Sequence, residues 1–197
     1  MSITTLPEIT NRILSQIPDS IKLSDKDIEI LHASKDFVLD REDVIFEKFF
    51  EILLNFEPTK NVFKEGEIPI VTNVFKRWLK ITLSSEFNDK YWQWQTFVGL
   101  VHIKRGITNN VFISMLSVIT EMLVEEVVTN VDKENAIPIL KAWLRLSRML
   151  SSLISESYRI FYLKTVEDVT NINEKLLDKM SHLAIDKLLK ENQDFRL

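Results

Sequence analysis

The stretch that decides the fold runs from Tyr91 to Ile107 and reads YWQWQTFVGLVHIKRGI. One helical stripe along it carries Tyr91, Gln95, Val98 and His102. Gly106 predicts the end of this helix as its C′ residue, and the basic residues just before it suit the negative end of a helix. We therefore expect a helix that begins after a capping residue, Asn88, and ends near Lys104.

Helical patterns continue on both sides of this stretch. Ser24 is the expected N-cap of the first core helix, with Asp27 in the capping-box position. Apolar periodicity predicts further helices over residues 40–55, 68–84, 108–131 and about 132–164, and a terminal amphipathic helix over 168–191. Asp132 or Asn135 opens the last of the globin helices, and Pro138 is expected near its first turn, where proline is tolerated. No convincing strand is present, so the sequence predicts an all-α fold.

Composition excludes several classes of function. The chain has 197 residues, of which 45% are hydrophobic, so we expect one domain with a sizeable core. The absence of cysteine excludes disulfides, thiolate metal sites and a cysteine nucleophile, and suits a reducing cytoplasm, the expected location. A net charge of -4 indicates no nucleic-acid partner. The most apolar stretch, residues 111–128, contains three glutamates and indicates a core helix, so no membrane partner is expected.

His102 is the residue on which the predicted chemistry depends. Near a helix end, free backbone carbonyls can accept the Nδ1 proton of a neutral imidazole and leave Nε2 for a metal. A lone imidazole is a poor zinc site, but it suffices for haem, where the porphyrin supplies four nitrogens. Gly99, one turn earlier, would allow a flat group to approach closely; the alternative is that it only serves helix packing.

The same stretch resembles the proximal-helix signature of globin-coupled sensors and protoglobins, roughly Val/Ile-Gly-x-x-His-x-Arg-x-Gly-Leu. The residues that match or nearly match are Val98, Gly99, His102, Gly106 and Ile107. Lys104 stands where arginine is usual, which is a mild departure. Upstream, FEKFFEILL at residues 46–54 resembles a family segment that ends in Phe-Tyr or Trp-Tyr and is followed by leucine. The similarity spans about residues 21–164.

The resemblance implies a globin-like helical sandwich of the sensor-globin type. Its expected parts are an N-terminal extension over 1–20, the globin domain over 21–166 and a C-terminal amphipathic helix over 167–197. The implied cofactor is haem b (iron protoporphyrin IX), held between the His102 helix and the helix that bears Val71 and Val74, with His102 as the iron ligand. The residues implied to surround it are Phe49, Phe50, Val71, Val74, Phe75, Val98, Phe112 and Met115. Lys76, Lys80, Lys90, Lys104 and Arg105 are candidates to meet its propionates.

Two positions depart from the family pattern. Phe50 stands where sensor globins usually place a distal tyrosine that donates to bound dioxygen, and Phe112 stands where relatives often have a tyrosine able to bond the histidine. We therefore expect five-coordinate ferrous iron in an apolar distal pocket that binds a diatomic gas (O2, CO or NO), with O2 disfavoured. The alternative is a shift of one residue that brings Thr72 to the ligand.

The resemblance also implies partners and leaves two other functions open. Family members commonly form homodimers through the last two long globin helices, here residues 111–131 and 136–164, and pass a signal to a downstream partner. One alternative function is a non-haem globin-like interaction module in signalling. The other is haem-based detoxification of nitric oxide or peroxide, against which the lack of a distal acid–base group counts. No enzyme activity is therefore expected.

Overall fold

The computed structural model describes residues 5–60, 62–64 and 66–191, and in these residues it contains helices and no strand. The all-α prediction is thus confirmed. The helices are α1 (Leu6–Ser15), α2 (Asp25–Ala33), α3 (Lys35–Leu39), α4 (Glu42–Asn55), α5 (Glu57–Lys60), α6 (Ile68–Thr82), α7 (Asp89–Lys104), α8 (Asn109–Asn130), α9 (Lys133–Thr170) and α10 (Glu174–Glu191). No helix in this part of the chain is long and apolar enough to cross a membrane.

Local capping explains several of these boundaries. Ser24 caps α2 as predicted: its hydroxyl accepts from the Asp27 backbone N–H, and the Asp27 carboxylate accepts from the Ser24 N–H at 2.8 Å. Arg145 of α9 also donates to that carboxylate, at 2.7 Å. The capping box therefore fixes the start of α2 and ties it to α9.

The long helix α9 begins where predicted, after Asp132, but it differs in the place of Pro138 and at its C-terminal end. It begins at Lys133, so Pro138 lies inside the helix, beyond the first turn, where the ring removes one backbone hydrogen bond. It continues past the predicted end to Thr170 and stops before Asn171, which has a left-handed φ of 60°. The terminal helix α10 accordingly begins at Glu174, not near Asp168. Residues 192–197 of the predicted terminal segment lie outside the described residues.

The chain divides into two compact units, one within residues 5–158 and one within residues 159–191. In the first unit, α1 packs against α7, and the Thr10 hydroxyl donates to the Thr96 hydroxyl at 2.9 Å in a buried contact. Part of the predicted N-terminal extension therefore supports the His102 helix. The domain boundaries at residues 20 and 166 stay predictions.

Candidate functional site

The end of α7 is held by a glycine cap. Gly106 has a left-handed φ of +74°, and its N–H donates to the Ile103 carbonyl at 3.0 Å. The Ile107 N–H donates to the His102 carbonyl, also at 3.0 Å, which completes a Schellman motif. Burial raises the pKa of Tyr158 to about 12, so its hydroxyl stays protonated, and it donates to the Ile107 carbonyl at 2.7 Å. These contacts fix the backbone of His102 relative to α9.

The side chain of His102 is half-buried beside Phe112, with 5.4 Å between the two ring centroids. Its Nδ1 atom is buried and has no hydrogen-bond partner in the described part of the chain. The expectation that a helix-end carbonyl accepts the Nδ1 proton is therefore wrong. The His102 and Ile103 carbonyls accept the N–H groups of the cap instead.

Burial, and secondarily the positive charge of Arg105, lower the pKa of His102 to about 4. The imidazole is consequently neutral near pH 7, so one ring nitrogen carries a free lone pair. A neutral imidazole is the form that ligates a metal ion.

This low pKa predicts how the stability of the haem-free chain depends on pH. An unfolded histidine has a pKa near 6.5, so between about pH 6.5 and pH 4 the unfolded state binds more protons. The free energy of unfolding should therefore fall by about 3 kcal/mol as the pH drops through this window. Urea denaturation at several pH values should show the decrease in the wild type and a weaker one in His102→Leu. Parallel pH dependences in the two proteins would refute the burial of a neutral imidazole.

Gly99 lies against α9. A Cβ atom at this position would lie 2.4 Å from the Ser157 hydroxyl oxygen and 3.4 Å from the Ile154 Cα atom. The glycine therefore permits close packing of α7 on α9, and the interpretation that it admits a flat cofactor is wrong. The alternative of helix packing is confirmed.

An apolar cluster forms where α4, α6 and α8 meet. Its members are the buried Phe46, Phe50 and Leu53 with the partly buried Phe49, Phe63, Ile68, Val71, Phe75 and Met115. The rings pack closely: the centroids of Phe46 and Phe75 are 4.1 Å apart, and those of Phe49 and Phe75 are 5.3 Å apart. Met115 lies about one turn after Phe112 on α8, so the face of α8 that contacts His102 leads into the cluster.

Most of the residues predicted to surround the cofactor are brought together. Phe49, Phe50, Val71, Phe75 and Met115 belong to the apolar cluster, and Phe112 contacts His102. Val98 is half-buried on α7. Val74 is 62% exposed and is not a member of the cluster. The role of each in binding a cofactor stays a prediction.

Hydroxyl groups near the cluster already donate to backbone carbonyls. The Thr72 hydroxyl donates to the Ile68 carbonyl at 2.8 Å, and the Thr59 hydroxyl donates to the Leu53 carbonyl. Phe50 has no donor. The alternative in which Thr72 serves a ligand would therefore require its present hydrogen bond to break.

A polar link between α6 and α7 was not foreseen from the sequence. The Trp78 indole N–H donates to the Gln95 side-chain oxygen at 3.1 Å, and the Tyr91 hydroxyl donates to the Thr82 hydroxyl at 3.3 Å. Gln95 is fully buried. Its place on the His102 stripe was visible in the sequence, but periodicity cannot distinguish a buried glutamine from an exposed one.

Two of the candidate cations for propionates contact carboxylates of the chain. Arg105 pairs with Glu67 at 3.4 Å, and Lys76 pairs with Glu42 at 3.2 Å. The side chains of Lys80, Lys90 and Lys104 are exposed. A propionate at Arg105 or Lys76 would therefore compete with an existing ion pair.

The donor set of the site is consistent with haem. In the described ranges no group of three or more His, Asp or Glu residues could hold a bare metal ion. A porphyrin brings its own four nitrogens and needs one axial ligand from the protein. His102 offers one neutral imidazole, packed against Phe112 about one turn before Met115 of the apolar cluster.

Comparison with known proteins agrees with this geometry. A family model described as Protoglobin matches residues 10–161. The fold resembles the globin domain of the globin-coupled sensor of Geobacter sulfurreducens, with a TM-score of 0.66, 17% identity and coverage of 80% of this chain and 99% of that chain. It also resembles the ferric globin domain of E. coli DosC, with a TM-score of 0.52, 14% identity and coverage of 77% and 98%. No curated protein is a match. The two structures confirm the sensor-globin fold that residues 91–107 indicated.

Proposed function

This chain belongs to the protoglobin family, and from that premise we propose that it is a haem-binding gas sensor in which His102 is the axial ligand of haem b. The observation that supports this most is His102 itself, a neutral imidazole in the last turn of α7 that packs against Phe112, about one turn before Met115 of the apolar cluster. The iron, when bound, supplies a coordination position for a diatomic gas such as O2, CO or NO.

The proximal side of the site restrains His102 through its surroundings. The Schellman cap and the Tyr158 hydroxyl hold the backbone, and Phe112 packs against the ring. A restrained ligand loses little conformational freedom when it binds the metal.

The distal side is proposed to be apolar. The expected surroundings of the haem are Phe49, Phe50, Val71, Val74, Phe75, Val98, Phe112 and Met115, with Phe50 nearest the gas. None of the side chains in the apolar cluster can donate or accept a proton. General acid–base catalysis needs such a group, so sensing is favoured over nitric oxide or peroxide detoxification.

The close aromatic packing of the cluster favours a second candidate function. The ring of Phe75 already packs against those of Phe46 and Phe49. A globin-like module whose apolar pocket is filled by its own side chains could signal through partner contacts without haem.

Haemin titration distinguishes the two functions. A haem sensor should bind one equivalent of haemin and develop an intense Soret band, which shifts when the ferrous protein is exposed to carbon monoxide. With a non-haem module, the spectrum of the added haemin should remain that of free haemin. This outcome would exclude the proposed sensor.

We also propose that the chain forms a homodimer through α8 and α9. A groove of about 590 Å³ runs along these helices, lined by Leu116, Ser117, Thr120, Glu121, Val124, Glu125, Leu144, Ser147, Arg148 and Ser151. Leu144 is 47% exposed. In a two-fold interface the same patch meets itself, so the acidic side of α8 can face Arg148 of the second copy. The result would be an intersubunit four-helix bundle.

Sedimentation should therefore give twice the chain mass. Arg148→Glu should weaken the dimer by about tenfold or more, because it places like charges across the two-fold axis. Lys90→Glu, the same charge change at an exposed position on α7, is the control. A monomeric wild type, or equal dissociation of both variants, would contradict this interface.

We propose, in addition, that the chain is located in the cytoplasm and passes its signal to a downstream partner.

A further inference from the structure

At the connection between α7 and α8 lie two buried polar atoms that have no partner among the residues described by the structure. One is Nδ1 of His102, and the other is the side-chain oxygen of Asn109. When Nε2 of a neutral histidine faces a metal, Nδ1 carries the proton and is a donor. The Asn109 oxygen is an acceptor, so the two atoms are complementary.

Their placement favours a common contact. Asn109 is the first residue of α8, and Phe112 follows about one turn later, so both side chains project from the same face of this helix. Phe112 is the residue whose ring lies 5.4 Å from the ring of His102. The side chain of Asn109 therefore projects from the face of α8 that contacts His102.

The amide group of Asn109 also contacts α9. Its Nδ2 donates to the Ser155 hydroxyl of α9 at 2.8 Å, which leaves Oδ1 on the other side of the amide as the free acceptor. Nearly all buried polar atoms in folded proteins find a partner in protein or ordered water. A single buried water between the two atoms would satisfy both at once.

We propose that Asn109 is the positioning residue of His102, and that its Oδ1 accepts the Nδ1 proton through one buried water. The relevance of this water bridge to iron rests on the proposed function, but the bridge joins two side chains of the chain itself and does not require haem. It fixes the tautomer in which Nε2 is free and makes Nε2 a stronger ligand, as acceptors behind ligating histidines do.

The first test uses the haem-free chain. With ¹⁵N-labelled histidine, NMR near neutral pH should show His102 protonated at Nδ1. Asn109→Leu should shift the population toward the Nε2-protonated tautomer, whereas Asn109→Asp, which retains an acceptor, should keep the Nδ1 proton. Asn110→Leu, the same change at the exposed neighbouring asparagine of α8, is the matched control and should behave as the wild type does. An unchanged tautomer in Asn109→Leu overturns the proposal.

The second test uses the haem-loaded chain. It measures the iron–histidine stretching frequency and the reduction potential, which a purely structural role of Asn109 would not change. Asn109→Leu should lower the ferrous iron–histidine stretching frequency, raise the reduction potential and weaken haem retention by about 10- to 100-fold. Asn109→Asp should move the frequency and the potential in the opposite directions. Equal stretching frequencies and reduction potentials in the wild type, Asn109→Leu and Asn109→Asp would contradict the proposal. Failure of haem to bind would contradict the proposed sensor, while the NMR result would still decide the role of Asn109.

Discussion

Phe50→Tyr is expected to raise the affinity of the ferrous protein for dioxygen while changing its affinity for carbon monoxide much less. Bound dioxygen carries partial negative charge, and a tyrosine hydroxyl can donate to it. Such a charge-assisted hydrogen bond contributes about 1.5–3 kcal/mol, on the order of ten- to a hundredfold in affinity. Phe50 is 8% exposed and packs between Phe49 and Phe63, with ring centroids 5.4 and 6.3 Å away.

The matched control is Phe46→Tyr, one turn earlier on α4. Phe46 is 2% exposed and contacts Phe75, so a hydroxyl there should lower stability without stabilising the gas. The measurement is the rate of dissociation of dioxygen and of carbon monoxide from each ferrous protein. If Phe50→Tyr leaves the ratio of the two affinities unchanged, Phe50 does not face the bound gas.

Features of the fold that depend on local chemistry were predictable. Gly106 could be identified as the end of α7 because a left-handed residue there is ordinarily glycine, and its φ is +74°. Ser24 and Asn88 could be identified as N-caps, because both carry a short acceptor ahead of a helical pattern. The left-handed conformation of Asn171, which ends α9, was less visible, since asparagine adopts it only sometimes.

Features that depend on tertiary contacts were not predictable. Gly99 could face either a cofactor or a helix, and only the 2.4 Å approach to Ser157 decides for the helix. A helix-end carbonyl is the acceptor that the sequence predicts for Nδ1 of His102, but the orientation of the ring depends on its packing against Phe112, which the sequence does not reveal. The apolar cluster was largely anticipated, since its phenylalanines share helix faces, but the 62% exposure of Val74 was not.

His102→Ala should remove the only proposed bond between the protein and the iron. The wild type, reduced and titrated with haemin, is expected to show the spectrum of five-coordinate histidine-ligated iron. The alanine variant should lose this spectrum and regain it when free imidazole is added, because the added ring can occupy the space of the missing side chain. His182→Ala serves as the control, since His182 is exposed on α10.

The ferrous absorption spectrum of these three proteins is therefore the most direct measurement of the central claim. The account predicts that His102→Ala alone differs from the wild type, and that imidazole reverses the difference. A His102→Ala protein with the wild-type ferrous spectrum would contradict it. So would a wild-type chain that leaves the spectrum of added haemin unchanged.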